Sequence, residues 1–147
     1  MNYRLHESLG YRLSLAARVQ ERRLEEGLKE LGLTRITWCI LLAVGNEARD
    51  RPTDIAAFVG IDRTATSRAL RQMEQAHLIT RTSGKDDRRT TTVALTALGR
   101  RHLAEGTPHA VANNLAMTEK LSRDETAELK RLLDKVVEGE MMDLTTF

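Results

Sequence analysis

Between residues 63 and 72 the sequence runs Arg63-Thr64-Ala65-Thr66-Ser67-Arg68-Ala69-Leu70-Arg71-Gln72. An arginine fork can donate two hydrogen bonds to the major-groove edge of guanine, and glutamine can pair in the same way with adenine. Short hydroxyl side chains reach a phosphate or a base without filling the groove. Arg63, Thr64, Thr66, Ser67, Arg68, Arg71 and Gln72 are therefore candidate DNA-binding residues. A second group follows in Ser83-Gly84-Lys85-Asp86-Asp87-Arg88-Arg89. Lys85, Arg88 and Arg89 suit the enhanced negative potential of a narrow minor groove. Asp87 would repel phosphate, and its expected role is to orient a neighbouring arginine through a charge-assisted hydrogen bond. Either group alone is also what a solvated helix or a balanced polar turn carries. Their adjacency is the informative feature.

These residues need a scaffold, and the hydrophobic periodicity supplies one. Leu5, Leu9, Leu13, Ala16, Ala17, Leu24, Leu28 and Leu31 recur at spacings of three and four, which predicts an amphipathic first helix of about seven turns ended by Gly32. Thr34 can cap a second helix, Thr34–Asn46, apolar on most sides and so buried. Pro52 and Asp54 suit the start of a short third helix that stops at Gly60. Asp62 can cap the next, Arg63–Ala76, whose apolar stripe is Ala65, Ala69, Leu70 and Met73. Two short helices joined by a glycine-containing turn have the spacing of a helix-turn-helix. Residues 78–82 and 90–95 are rich in β-branched side chains and flank the polar turn, which predicts a hairpin. Helix resumes near Thr96 and runs to about Met117, with a kink or break expected at Gly106 and Pro108. Ser122 with Glu125 forms a capping box for a last helix carrying Leu129, Leu132, Leu133, Val136 and Val137 on one face.

The fold class is thus mostly α with a small β-hairpin wing: a winged helix-turn-helix over residues 33–95, with helical regions 1–32 and 96–147 as dimerisation arms. The net charge of +2 does not announce a nucleic-acid partner. Its distribution is more telling. Residues 51–89 hold eight basic and five acidic side chains, whereas the remainder is nearly neutral. No apolar run approaches the roughly 18 residues that a membrane span needs. The polar start, Met1–Gly10, has no apolar signal core, and the single cysteine rules out an intramolecular disulfide framework. A cytoplasmic location and no membrane partner are expected. The four histidines, His6, His77, His102 and His109, lack the i, i+4 spacing of a helical metal pair, so neither a metal nor another cofactor is expected. No phosphate loop, nucleophile elbow or metalloprotease helix is visible, so the reading is not an enzyme.

The order of segments resembles the multiple-antibiotic-resistance regulator (MarR) family across essentially the whole chain. The resemblance is carried by Thr64–Glu74, Leu78-Ile79, Asp87-Arg88-Arg89, and Val93-Ala94-Leu95-Thr96-Ala97-Leu98-Gly99. Leu33-Thr34 with Trp38 is similar to the family's second helix, and Ile55-Ala56 to its third. His77 departs from the pattern, because the family usually has glycine just past the recognition helix. The resemblance implies a homodimer on double-stranded DNA, with recognition helices in the major groove and wing arginines in the minor groove. It further implies a repressor released from a pseudo-palindromic operator by a small phenolic or anionic effector. Trp38 is then the candidate wall of a ligand pocket and Arg12 a candidate anion partner, against the plainer reading of Trp38 as core and Arg12 as surface. Cys39 is a candidate redox site, since some members sense oxidants through cysteine. Its apolar helix instead favours a buried small hydrophobe. A winged helix that binds protein rather than DNA is a further alternative, and it would require an apolar recognition surface.

Overall fold

The computed structural model describes residues 2–85 and 90–140. Its elements are α1 (Leu9–Leu28), α2 (Arg35–Gly45), α3 (Pro52–Val59), α4 (Arg63–Gln75), β1 (Ile79–Ser83), β2 (Thr91–Leu95), α5 (Ala97–Thr118) and α6 (Arg123–Val136). Local chemistry explains most boundaries. Ser8 accepts a hydrogen bond from Tyr11 N and starts α1. Thr34 and Thr37 bond reciprocally at the start of α2, and Ser122 and Glu125 do the same at α6. Gly32 and Gly60 take left-handed backbone (φ 66° and 74°), where an ordinary side chain is disfavoured.

Two expectations are corrected. The first helix is not a seven-turn rod. It has 20 α-helical residues, about 30 Å, with a short 3-10 turn at each end, Leu5–Glu7 and Lys29–Leu31. The fifth helix runs without a break through Gly106 and Pro108. Pro108 cannot donate to the Ala104 carbonyl, but both residues are exposed and water can serve that carbonyl instead. Gly106 is not a breaker: a Cβ there would lie 2.5 Å from Trp38 Cζ3. Glycine at this point lets the indole lie against the helix.

α2 is the centre of the core. Ile40, Leu41 and Ala43 are fully buried and Trp38 is 3% exposed. Around them pack Leu24 and Leu28 of α1, Ile55 of α3, Leu70 and Met73 of α4, and Val93 of β2. Each fully buried leucine or isoleucine contributes roughly 1.5–3 kcal/mol. The arms are different. Leu129, Leu132, Leu133 and Val136 on α6 and Val137 at its C-cap are all exposed, as are Leu9, Leu15 and Val19 on α1 and Val111 and Leu115 on α5. Among the described residues α6 has no buried position. Among the described residues no helix is long and apolar enough to cross a membrane.

Candidate nucleic-acid interface

α3 and α4 are joined by Gly60-Ile61-Asp62. Asp62 Oδ1 accepts from Ala65 N at 2.7 Å and fixes the first turn of α4. Ala69, Leu70 and Met73 are buried, which leaves Arg63, Thr64, Ser67, Arg68, Arg71 and Gln72 on the exposed face. A helix is about 10–12 Å across with its side chains, and the B-DNA major groove is about 12 Å wide. Thr66 is corrected: it is 2% exposed and its hydroxyl donates to the Asp62 carbonyl at 2.8 Å. It braces the turn from within and is not on the reading face.

β1 and β2 pair antiparallel with Ile79 opposite Leu95 and Ser83 opposite Thr91, and Gly84 N donates to Thr90 O at 2.7 Å beyond them. The hairpin is tied at its outer edge, where Val93 N donates to Asp50 O at 2.7 Å. Lys85 is exposed at the start of the turn. Asp87, Arg88 and Arg89 lie outside the described residues.

The root of the hairpin is built around one carbonyl. Leu78 O accepts from Thr96 N at 3.0 Å and from Thr96 Oγ1 at 3.1 Å. Thr96 Oγ1 also lies 2.6 Å from His77 O, to which it can donate, and it accepts from Gly99 N to cap α5. A Cβ on Gly99 would sit 2.1 Å from that same Leu78 oxygen. The Leu-Thr-x-x-Gly run thus has a physical basis: a threonine cap and a glycine where backbone meets backbone. His77 takes φ 58°, the left-handed value that the glycine usual there would suit better.

Two side chains absent from the sequence-based list join this region. Arg81 donates through Nε to Glu74 Oε2 at 3.0 Å, and its Nη2 contacts the same oxygen. That hydrogen bond is the main cause that holds the Glu74 carboxyl below its ordinary pKa. The pairing was readable in principle. Strand period places Arg81 on the same face as buried Ile79, toward α4. A cleft of about 350 Å³ opens between α3, α4 and the hairpin, lined by Thr53, Arg63, Ser67, Arg81 and Thr91 among others.

The remaining candidates are dispersed. Trp38 is core, packed where Gly106 and Leu28 meet. Arg12 is exposed on α1, sixteen residues before Leu28 or about 24 Å along the helix, so one chain does not bring it to Trp38. Cys39 is partly buried. Burial raises its pKa, with nearby Arg35 opposing and Glu21 adding. A second cleft, about 480 Å³, lies between α1, the start of α2 and α4, and includes Glu21, Glu25, Arg35, Arg68 and Gln72.

Residues 31–90 match the sequence pattern of the MarR family. Across the fold, the chain is similar to a probable transcriptional regulator from Pseudomonas aeruginosa at 24% identity and TM-score 0.81, covering 90% of this chain and 99% of that one. It is similar to BpsR of Bordetella bronchiseptica, whose DNA binding is regulated by 6-hydroxynicotinic acid, at 21% identity and TM-score 0.86, covering 95% and 100%. It is also similar to Sco3205, a MarR family transcriptional regulator from Streptomyces coelicolor solved with DNA, at 22% identity and TM-score 0.83, covering 99% and 94%.

Proposed function

We propose that the chain is a MarR-family winged-helix protein that acts as a homodimeric DNA-binding transcription repressor, not an enzyme; the match of residues 31–90 to that family's sequence pattern supports this. The observation that carries this reading is the exposed face of α4, where Arg63, Arg68, Arg71 and Gln72 stand clear of the buried stripe. An apolar surface would suit a protein partner. This one is cationic and rich in hydrogen-bond donors, which suits duplex DNA. Lys85, and with it Arg88 and Arg89 with Asp87, are the residues proposed for the minor groove. The apolar faces left open on α6, α1 and α5 support residues 1–32 and 96–147 as dimerisation arms. Two copies about a two-fold axis then read a pseudo-palindromic site with half-sites about 34–36 Å apart, or a multiple of that.

Release follows when a small phenolic or anionic effector binds between arms and reading lobe. The regulation of BpsR by a hydroxylated aromatic acid supports that class. Trp38 and Arg12 serve such a site only if the partner's arm closes the distance between them. A redox role for Cys39 is disfavoured, because burial keeps the thiol protonated.

The test is fluorescence anisotropy with a labelled duplex selected from a random-sequence pool on the purified protein. Binding is expected below micromolar and to weaken steeply with salt, because phosphate contacts release counterions. Arg88→Ala and Arg89→Ala should each weaken it. Light scattering should give twice the chain mass of 16.6 kDa. Binding that is absent at low salt or indifferent to salt sinks the reading.

A further inference from the structure

We infer that the cleft between the recognition helix and the wing grips one phosphodiester of the DNA strand, with Arg81 as the gripping residue and Glu74 as the residue that aims it. The inference rests on the DNA-binding reading and adds a contact to it. If α4 occupies a major groove and the wing the neighbouring minor groove, one sugar-phosphate strand separates the two. That strand must cross the gap between α4 and the hairpin. The gap is the cleft of about 350 Å³ lined by Arg63 of α4 and Arg81 of β1, together with Ser67, Thr53 and Thr91.

Arg81 is equipped for this task. Nε and Nη2 both point at Glu74 Oε2, so one edge of the guanidinium is anchored to α4. A guanidinium has five N–H donors, more than the two that the Glu74 contact uses. The Arg81 side chain is 31% exposed and that of Glu74 40%, so the pair lies at the surface, where DNA can reach it. In such a setting an ion pair adds little to folding. Its value lies in direction: an unanchored arginine on an outer strand samples many rotamers, whereas this one is held at the cleft.

The two roles predict opposite signs for one substitution. A carboxylate near DNA repels phosphate, so if Glu74 were only a surface charge, Glu74→Gln would tighten binding. As an aiming residue, Glu74→Gln weakens binding by roughly three- to tenfold despite the lost negative charge. Arg81→Ala should lower the slope of log K against log salt by about 0.9, the share of one phosphate. Arg81→Lys keeps the charge without the fork. It should retain the slope and lose affinity. All are measured by anisotropy on the duplex selected with the parent protein, with circular dichroism melts to confirm that the variants fold. Binding by Glu74→Gln that is tighter or unchanged overturns the aiming role. An unchanged salt slope in Arg81→Ala overturns the phosphate contact, while the parent's own salt-dependent binding keeps the broader reading intact. A parent protein that does not bind would end both.

Discussion

Replacing Gly106 with alanine sets two effects of opposite sign against each other. In a helix interior the change gains about 0.8–1.0 kcal/mol of intrinsic propensity. At this position the new Cβ would lie 2.5 Å from Trp38 Cζ3, 2.9 Å from Cε3 and 3.2 Å from Leu28 Cδ2. Carbon atoms pack at about 3.5–4.0 Å, so the ring must retreat by about 1 Å. The ring is rigid and only 3% exposed, and Leu28 beside it is fully buried, so the strain passes into the core. Overpacking of this kind costs about 1–3 kcal/mol, and a rigid neighbour puts it near the upper end. The net expectation is a loss of about 1–2 kcal/mol. Urea unfolding followed by the fluorescence of Trp38, the only tryptophan, should show a lower midpoint with the same slope, at matched protein concentration. Gly10→Ala is the control. Nothing lies within 4 Å of a Cβ there, so the same chemical change should be neutral or gain up to about 1 kcal/mol. A Gly106→Ala protein as stable as the parent, or more so, would refute the argument that glycine is there to seat the indole.

Two further outcomes are expected. His77→Gly should raise stability by about 0.5–1 kcal/mol in the same urea assay, because φ 58° strains histidine more than it strains glycine. Cys39 should react with iodoacetamide much more slowly in the folded protein than in urea at pH 8, since its pKa is raised chiefly by burial. The sign for stability follows: above the ordinary value of 9.0 the unfolded chain ionises first, so this thiol's contribution is present below that pH and is lost as pH rises further. Equal alkylation rates in the two states would reopen the redox reading.

Much of the reading module is legible because its boundaries are written in residues with one local job. Pro52, Gly60, Asp62 and Thr96 each mark the helix start or stop that the structure shows. The errors come from residues whose job is set by distant neighbours. Gly106 and Pro108 look like punctuation, yet one is answered by Trp38 and the other by open solvent. Thr66 looks like a surface hydroxyl, but the Asp62 carbonyl satisfies it and allows burial. The Glu74–Arg81 pair spans two element types, so it is readable only when the strand period of β1 and the helix period of α4 are taken together. The apolar face of α6 is plain in the sequence, and within one chain nothing among the described residues buries it.

The Leu78 carbonyl, just past α4, meets both the Thr96 cap and the Gly99 contact, which has a consequence for the proposed DNA complex. These contacts tie the hairpin root to the start of α5 just past α4, and so resist a change in the angle between the two proposed grips. On the proposed reading, a site whose groove width differs is met by bending or twisting the duplex, at an elastic cost set by base steps that the protein does not touch. Selectivity among related sites should therefore follow the stiffness of the DNA as well as the bases under the reading helix.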